Sequence, residues 1–562
     1  MEKQDVTIIG GGLAGLLLAI QVARETKNLK ITVIDKRKPE DVVHDHKVGE
    51  STVELATYYM REVLGLKDYL DTHQLPKRGL RYFISPEHKE TIEARFEMGP
   101  KNVLPVPSHQ LDRGVLERDL IEIVKGYGVN FISDATVTNV NLENGNHLTE
   151  FEKDGEIQSI HSKWVVDSSG RNFFIKKKLE LLKDMEHNIN TVWWRYHGVV
   201  DVEDWSDDAQ WHSRLNKGIR KLATVHLMDK GYWVWIIPLV GGNTSIGIVA
   251  DPKIHPLHTY NSYEKAMEWL SVNEPQAYRE FTKANFKATG FKALKKFSYD
   301  NKQFYSKDRW AVTGEAGAFL DPFYSPGSDF ISLNNTWVSD LIKRDFEGED
   351  IRMPAMLFEI THKALLENWI PIYLNKYNVF GSSQIMIFKV FWDWTVYWGI
   401  PSIAFINKGY TDLNTLKTLF AKAESPIPKF AIISKNVQNF FLDWLPYDDI
   451  KISYKYVDLI EMDFINKLHF DLDKRMTQDE LCAQIEENLI LMEQVAAYIF
   501  KIVTKQIFNL DEELNVNPYT FNLKKGKEAL IEESQEIEDI FIPENIKNDI
   551  QKVWFGKVKE LA

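Results

Sequence analysis

The chain opens with a short apolar, β-branched run, Asp5-Val-Thr-Ile-Ile, that stops at a glycine cluster, Gly10-Gly-Gly12-Leu13-Ala14-Gly15. An apolar helical stretch, residues 16–22, follows at once. Run, glycine turn and helix in that order predict the strand–turn–helix of a dinucleotide-binding βαβ unit. Gly10 makes the tight turn, Gly12 lets the backbone approach a pyrophosphate, and Gly15 lets the helix lie close on the strand. Leu13 and Ala14 start a helix whose N–H groups and positive dipole end suit phosphate. A second run, Lys30-Ile-Thr-Val-Ile-Asp35, ends in an acid twenty positions after Gly15 and is followed by Lys36. An acid there serves as acceptor for a ribose 2′-hydroxyl.

The same patterning continues. Ser51 or Thr52 is placed to cap a helix running to about residue 64, and residues 75–83 read as a turn entering a strand. Ser108-His109-Gln110-Leu111-Asp112-Arg113 opens a helix that reaches about residue 127; a strand at 129–133 and a hairpin at Asn144-Gly145-Asn146 follow. A buried-strand pattern, Lys163-Trp-Val-Val-Asp167, ends in the turn Ser168-Ser169-Gly170. Residues 190–300 are mostly strand-like, with a short helix at 262–272. Trp310-Ala-Val-Thr313 ends in Gly314-Glu315-Ala316-Gly317, and a helix spans about 329–345. Beyond it the period is helical, with loops expected near Gly381, Pro401 and Pro426 to Pro428.

Composition narrows the class. The 562 residues are 44% hydrophobic and 27% charged, as in an ordinary globular protein. The net charge of −13 argues against nucleic-acid or anionic-membrane binding. No stretch of 18 uncharged apolar residues appears, since the nearest, 385–405, carries Lys389 and Asp393. The N-terminus lacks a basic leader and reads as fold. The single cysteine, Cys482, excludes an intramolecular disulfide and fits a cytoplasmic location. The histidines show no metal-ligand spacing beyond the pair His44-x-His46, and no metal is assigned.

Three strand-to-glycine turns, at 10–15, 167–170 and 314–317, resemble the FAD-dependent monooxygenase superfamily with the p-hydroxybenzoate-hydroxylase fold. Gly231-Tyr-Trp233-Val-Trp235-Ile-Ile237-Pro238 then places three large side chains on one sheet face. Trp-x-Trp-x-Ile-Pro is similar to the signature that separates flavin-dependent halogenases from the hydroxylases of that fold. A lysine in a Lys-x-Gly setting soon after Gly49-Glu50-Ser51-Thr52, here Lys77, completes the resemblance.

What the resemblance implies is a Rossmann-like α/β (α+β) fold. Segments 1–85, 108–190 and 301–345 build its FAD-binding domain. Segments 86–107 and 191–300 build a mostly antiparallel β-sheet substrate domain, and 346–562 form a helical region over the substrate pocket. Gly10, Gly12, Leu13, Ala14, Gly15, Asp35, Lys36, Gly49, Glu50, Ser51, Arg113, Asp167, Gly314, Glu315, Asp321 and Gly327 are then expected around FAD. Glu315 stands where the family pattern has aspartate. Trp233, Trp235, Ile237, Pro238 and Tyr324 shape the site. Ser325, Gly327 and Ser328 are halide candidates, although Pro326 removes one N–H donor from that stretch. Tyr324 replaces the glutamate of tryptophan-specific members, which points to phenolic, pyrrolic or carrier-bound substrates. By the same resemblance a separate flavin reductase supplies reduced FAD. Reduced FAD, O2 and chloride or bromide give hypohalous acid, and Lys77 relays it to the substrate. The alternative is a monooxygenase or oxidase of the same fold without halide use.

Overall fold

The computed structural model describes residues 3–44, 46–84, 87–448 and 455–554. The first sheet forms around the opening run. Strand Gln4–Ile9 lies between Ile31–Ile34 and the long strand Glu156–Asp167, parallel to both, with Ile8 opposite Val33 and Val166. Asn130–Ile132 extends the sheet on one side, and Trp310–Val312 adds a parallel strand beside residues 165–167. The first half of Glu156–Asp167 pairs antiparallel with His147–Lys153, which pairs with Thr136–Asn141. The helix Leu13–Glu25 packs across the central strands; its residues 13–22 are all buried, as its unbroken apolar run requires.

The second sheet has eight strands in the order Lys287–Leu294, Asn190–His197, Asn243–Ala250, Tyr232–Leu239, Thr224–Asp229, Leu80–Ile84, Phe96–Met98, Tyr456–Val457. It is antiparallel except where Thr224–Asp229 meets Leu80–Ile84 and where Phe96–Met98 meets Tyr456–Val457. Both faces are covered, and the alternation of side chains sorts them. Trp233, Trp235 and Ile237 face the main core, while Tyr232, Val234 and Ile236 face a second, smaller core. Helices Tyr263–Asn273 and Pro275–Ala284 contribute Trp269, Leu270, Ala277 and Phe281 to that smaller core.

Several expectations are corrected. Residues 80–84, assigned by sequence to the first FAD-binding segment, belong to the second sheet, because Leu80–Ile84 pairs in register with Thr224–Asp229. The C-terminal region is helical but also lends that sheet Tyr456–Val457. Neither Ser51 nor Thr52 caps the helix Glu54–Tyr58. Val53 occupies that position, and Thr52 Oγ1 instead donates to His109 O at 2.9 Å. No loop forms at Pro401. The helix Ser383–Tyr397 runs through a π-turn, Trp398–Ser402, into Ile403–Ile406, and the wider turn admits a residue without an N–H. Pro426 starts a helix, Pro426–Trp444, in the first turn where no N–H is needed. The break at Gly381 stands as read, between Lys376–Val379 and Ser383–Tyr397.

The tightest approach in the first sheet is at Gly15, where an added Cβ would lie 2.0 Å from Gly10 O and 2.5 Å from Ser168 Oγ. Gly15→Ala is therefore expected to lose about 3 kcal/mol or more of stability, whereas helical Gly126→Ala, with open space around it, should be neutral or gain up to about 1 kcal/mol. Thermal unfolding of the two variants checks this.

Candidate active site

A groove of about 1450 Å³ runs over the opening turn, lined by Gly10, Gly12, Leu13, Ala14, Asp35, Lys36, Arg37, Lys47 and Arg113 among others. Gly10 holds φ +103°, and an added Cβ would strike Ser168 O. Gly12 has nothing nearer to its Cβ position than Lys47 Nζ at 3.8 Å, so its backbone faces open groove. The first bond of the helix Leu13–Glu25 runs from Leu16 N to Gly12 O, and no side chain caps the turn before it. Its first N–H groups are thus left for an anion.

Asp35 is buried and already engaged. Its carboxylate accepts from Gly11 N at 2.6 Å and from the Arg37 guanidinium at 3.0 Å. Arg37 also donates to Gly11 O and to Glu117 Oε2. Burial alone would raise the pKa of Glu117, but Arg113, Lys47 and Arg37 more than offset it and hold the acid at about 2. Sequence reading missed Arg37, Lys47 and Glu117; the one signal was the basic run that follows Asp35. Arg113 lines the groove, its NH1 donating to Val48 O at 2.9 Å. Asp167 is not. Its carboxyl accepts from Ser169 N and Ile175 N at 3.0 and 2.9 Å and lies outside the groove lining, so it braces the turn from beneath. Gly15 likewise acts by close packing and does not line the groove.

The groove continues past Leu13, Val48, Arg113, Glu315 and Ile331 into a cavity of about 1030 Å³. Gly49, Glu50, Ser51, Gly314, Asp321, Trp233, Trp235 and Ile237 line it, while Pro238, next along the same strand, does not. Glu50 is tied to Arg195, whose Nε lies 2.9 Å from Oε1, and Ser51 Oγ to Thr224 Oγ1. Both tryptophans are pinned through their indole N–H groups. Trp235 donates to Ser245 Oγ at 3.1 Å, and Trp233 donates to Tyr377 Oη at 3.0 Å. Tyr377 donates in turn to Asp321 Oδ2 at 2.7 Å, and His187 Nε2 lies 2.6 Å from the same oxygen. His226 is sandwiched between Tyr82 and Trp233; burial, helped by the charge of Lys77, pushes it down to about 3.

Tyr324 and Ser325 both take left-handed backbone, φ +72° and +62°, before the helix Gly327–Phe346. The Ser325 N–H is spent on Pro322 O at 2.9 Å, which removes it as a halide donor. Pro326 caps the helix, and the first bond within it runs from Phe330 N to Pro326 O, so Gly327 and Ser328 keep first-turn N–H groups. Ser328 Oγ is buried on this cavity with no partner among the described residues.

Pro326 also belongs to the wall of a third cavity, of about 950 Å³, and Lys77 lies in that wall. The pairing of Leu75–Lys77 with Ser108–Gln110 sets Lys77 opposite Ser108. Lys77 is 5% exposed, and its Nζ donates to Thr52 O at 2.7 Å. Burial pushes its pKa down to about 8, against the pull of Glu54 and Asp329. Asp329, pushed up to about 8 by burial, accepts from Ala56 N and Tyr397 Oη. Tyr324, Trp369, Trp394 and Trp398 supply much of the remaining wall.

The tryptophan halogenase family model matches residues 5–96. The flavin-dependent halogenase chlA of Dictyostelium discoideum is 28% identical over 444 residues, 73% of this chain and 72% of that protein. A 1H-pyrrole-2-carbonyl-[peptidyl-carrier protein] brominase of Pseudoalteromonas luteoviolacea is 27% identical, over 63% of this chain and 80% of its own. The chain is similar to the flavin-dependent halogenases over most of its length. That similarity indicates an FAD-dependent oxidoreductase. The fold of the halogenase extends over nearly the whole chain: the crystal structure of halogenase PltM superposes with a TM-score of 0.60 at 14% identity, covering 88% of this chain and 97% of that one. The groove and second cavity fit FAD, since a glycine cradle, a bare helix N-terminus and a connected pocket form one elongated site.

Because Asp329 raises the pKa of its neighbour, Asp329→Asn should move the Lys77 titration below about 8. The Cε shift of Lys77 in lysine-labelled protein reads this directly, and an unchanged midpoint would uncouple the two groups.

Proposed function

We propose that the enzyme halogenates an electron-rich organic substrate, phenolic, pyrrolic or carrier-bound, in the third cavity. Hypohalous acid generated in the second cavity reaches it past Pro326 and Lys77. The observation that carries this reading is the placement of one buried lysine in a pocket that shares a wall with the tryptophan-faced pocket. When bound, reduced FAD with O2 and halide supplies the oxidising equivalent. The chain's own residues do the rest.

The groove turn and Arg113 hold the dinucleotide end. Trp233, Trp235 and Ile237 present an apolar face that keeps water from the reactive end of the cavity. The N–H groups of Gly327 and Ser328, with the unpartnered Ser328 hydroxyl, form the halide site, and Pro326 contributes no donor. Lys77 has one fixed acceptor, Thr52 O, and so retains two N–H donors for hypohalous acid when protonated. With a pKa near 8 it is mainly ammonium at neutral pH. As ammonium it hydrogen-bonds and polarises the hypohalous acid; the substrate carbon attacks the halogen, the halogen–oxygen bond breaks, and the oxygen leaves as water as the ring carbon gives up its proton. The protein would act in the cytoplasm beside a separate flavin reductase. No helix among the described residues is long and apolar enough to cross a membrane.

The test is turnover with FAD, a flavin reductase, NADH and bromide on candidate phenols and pyrroles, read by mass spectrometry. Brominated product is expected with bromide present; a hydroxylated product formed without halide would replace this reading with oxygen insertion. Lys77→Met should lose product while O2 consumption continues, and should gain about 1–3 kcal/mol of stability, because a buried amine gives way to an apolar chain of like length. An ammonium relay is present below the folded pKa, so halogenation should fall as pH rises through about 8. A rate that climbs through the same window would instead assign the neutral amine and an N–halogen intermediate.

A further inference from the structure

Asp393 lies on the helix Ser383–Tyr397 with its side chain in the wall of the Lys77 cavity. One turn earlier on the same helix, fully buried Lys389 donates to Asp393 Oδ2 at 2.6 Å. Gln438, on the helix Pro426–Trp444, donates to Asp393 Oδ1 at 2.7 Å and accepts from Lys389 at 3.3 Å. Tyr324 completes the set, its hydroxyl donating to Oδ2 at 2.9 Å.

A buried ion pair on one helix, bridged to the next only through an amide, is a poor way to hold that contact together. Apolar side chains of similar volume serve as well or better, and neighbouring turns use them, with Phe388, Phe391 and Trp392 all fully buried. None of the network's hydrogen bonds reaches Lys77 or Asp329, so it does not serve the relay end of the cavity. Three donors leave one acceptor position unused on a carboxylate that can take about four. That carboxylate is held rigidly from three sides at the edge of a cavity otherwise walled by groups such as Leu365, Ile372, Trp394 and Phe430.

We propose that Asp393 recognises the substrate's phenolic hydroxyl, and that the substrate is a phenol with a lipophilic body. Lys389, Gln438 and Tyr324 hold the carboxylate in place, and the apolar wall takes the rest of the molecule. A hydroxyl donating to a carboxylate gains electron density, which passes to the ring carbons that attack the halogen. The position at which tryptophan-specific relatives are expected to carry glutamate is Tyr324 here, and the acid that contacts it comes from the C-terminal region. The inference rests on the halogenase reading for its chemistry but not for its binding.

Isothermal titration of the FAD-loaded enzyme with pentylresorcinol and with its dimethyl ether tests it, in the absence of reductant and halide. The phenol is expected to bind about tenfold or more tighter than the ether, as a charge-assisted hydrogen bond gives. Asp393→Asn should erase that ratio by weakening the phenol alone. Asp393→Asn leaves Lys389 unpaired and can cost the fold, so the charge-neutral pair Lys389→Met with Asp393→Leu provides the second measurement and should erase the ratio equally. Equal affinity of phenol and ether for the wild-type enzyme, or an unchanged ratio in either folded variant, overturns the proposal. Bromination of the same two compounds by the wild-type enzyme is measured in parallel. Selective binding without bromination of either would retain Asp393 and discard the halogenase chemistry, while bromination with unselective binding would do the reverse.

Discussion

The arrangement turns on six residues, Asp321 to Pro326. Two consecutive non-glycine residues in left-handed backbone are a costly way to turn a chain, and such strain persists only where the surroundings over-determine it. Here Asp321 is clasped by His187 and Tyr377, Phe323 packs against Trp233 and Phe380, and Tyr324 is tied to Asp393. With the turn so fixed, Ser325 faces one cavity, Tyr324 faces the other, and Pro326 stands in both walls. One bend thus supplies a residue to each of two cavities and a wall common to both.

Around that bend the electrostatics divide by compartment. The dinucleotide groove is rich in paired charge, with Arg37, Lys47 and Arg113 converging on Glu117. The middle cavity is walled by indoles whose N–H groups are satisfied internally. In the third, Lys77 and Asp329 have pKa values drawn towards each other by burial, one down and one up. Groups poised in this way are suited to exchanging a proton near neutral pH.

Much of this was legible in the sequence because the relevant signals are local. The glycine turn, Trp233-x-Trp235-x-Ile237 and Lys77 each announce themselves within a few residues, and side-chain alternation put the two indoles and Ile237 on one face as expected. Three kinds of feature were not legible. Asp35 reads as an open acceptor, but its occupancy by Arg37 depends on how a basic loop folds back. Asp167 ends a strand as a ligand-facing acid would, yet the turn beyond it consumes both carboxylate oxygens. The C-terminal partners, Tyr377 and Asp393, are invisible because their contacts span long separations. Residues 384–396 are moreover buried on every side, which erases the period that would mark an inward face.

The hydrogen-bonded line from Trp233 through Tyr377 to Asp321 and His187 joins the middle of the substrate sheet, the C-terminal region and the end of the dinucleotide domain. It means that the C-terminal third is not a detachable cover. In a chain recombined with a relative's C-terminal helices to alter its substrate range, the graft would bring its own anchor, or lack one, for the indole that faces the cofactor pocket. Tyr377 is thus one residue through which the C-terminal third and the tryptophan-faced cavity are coupled.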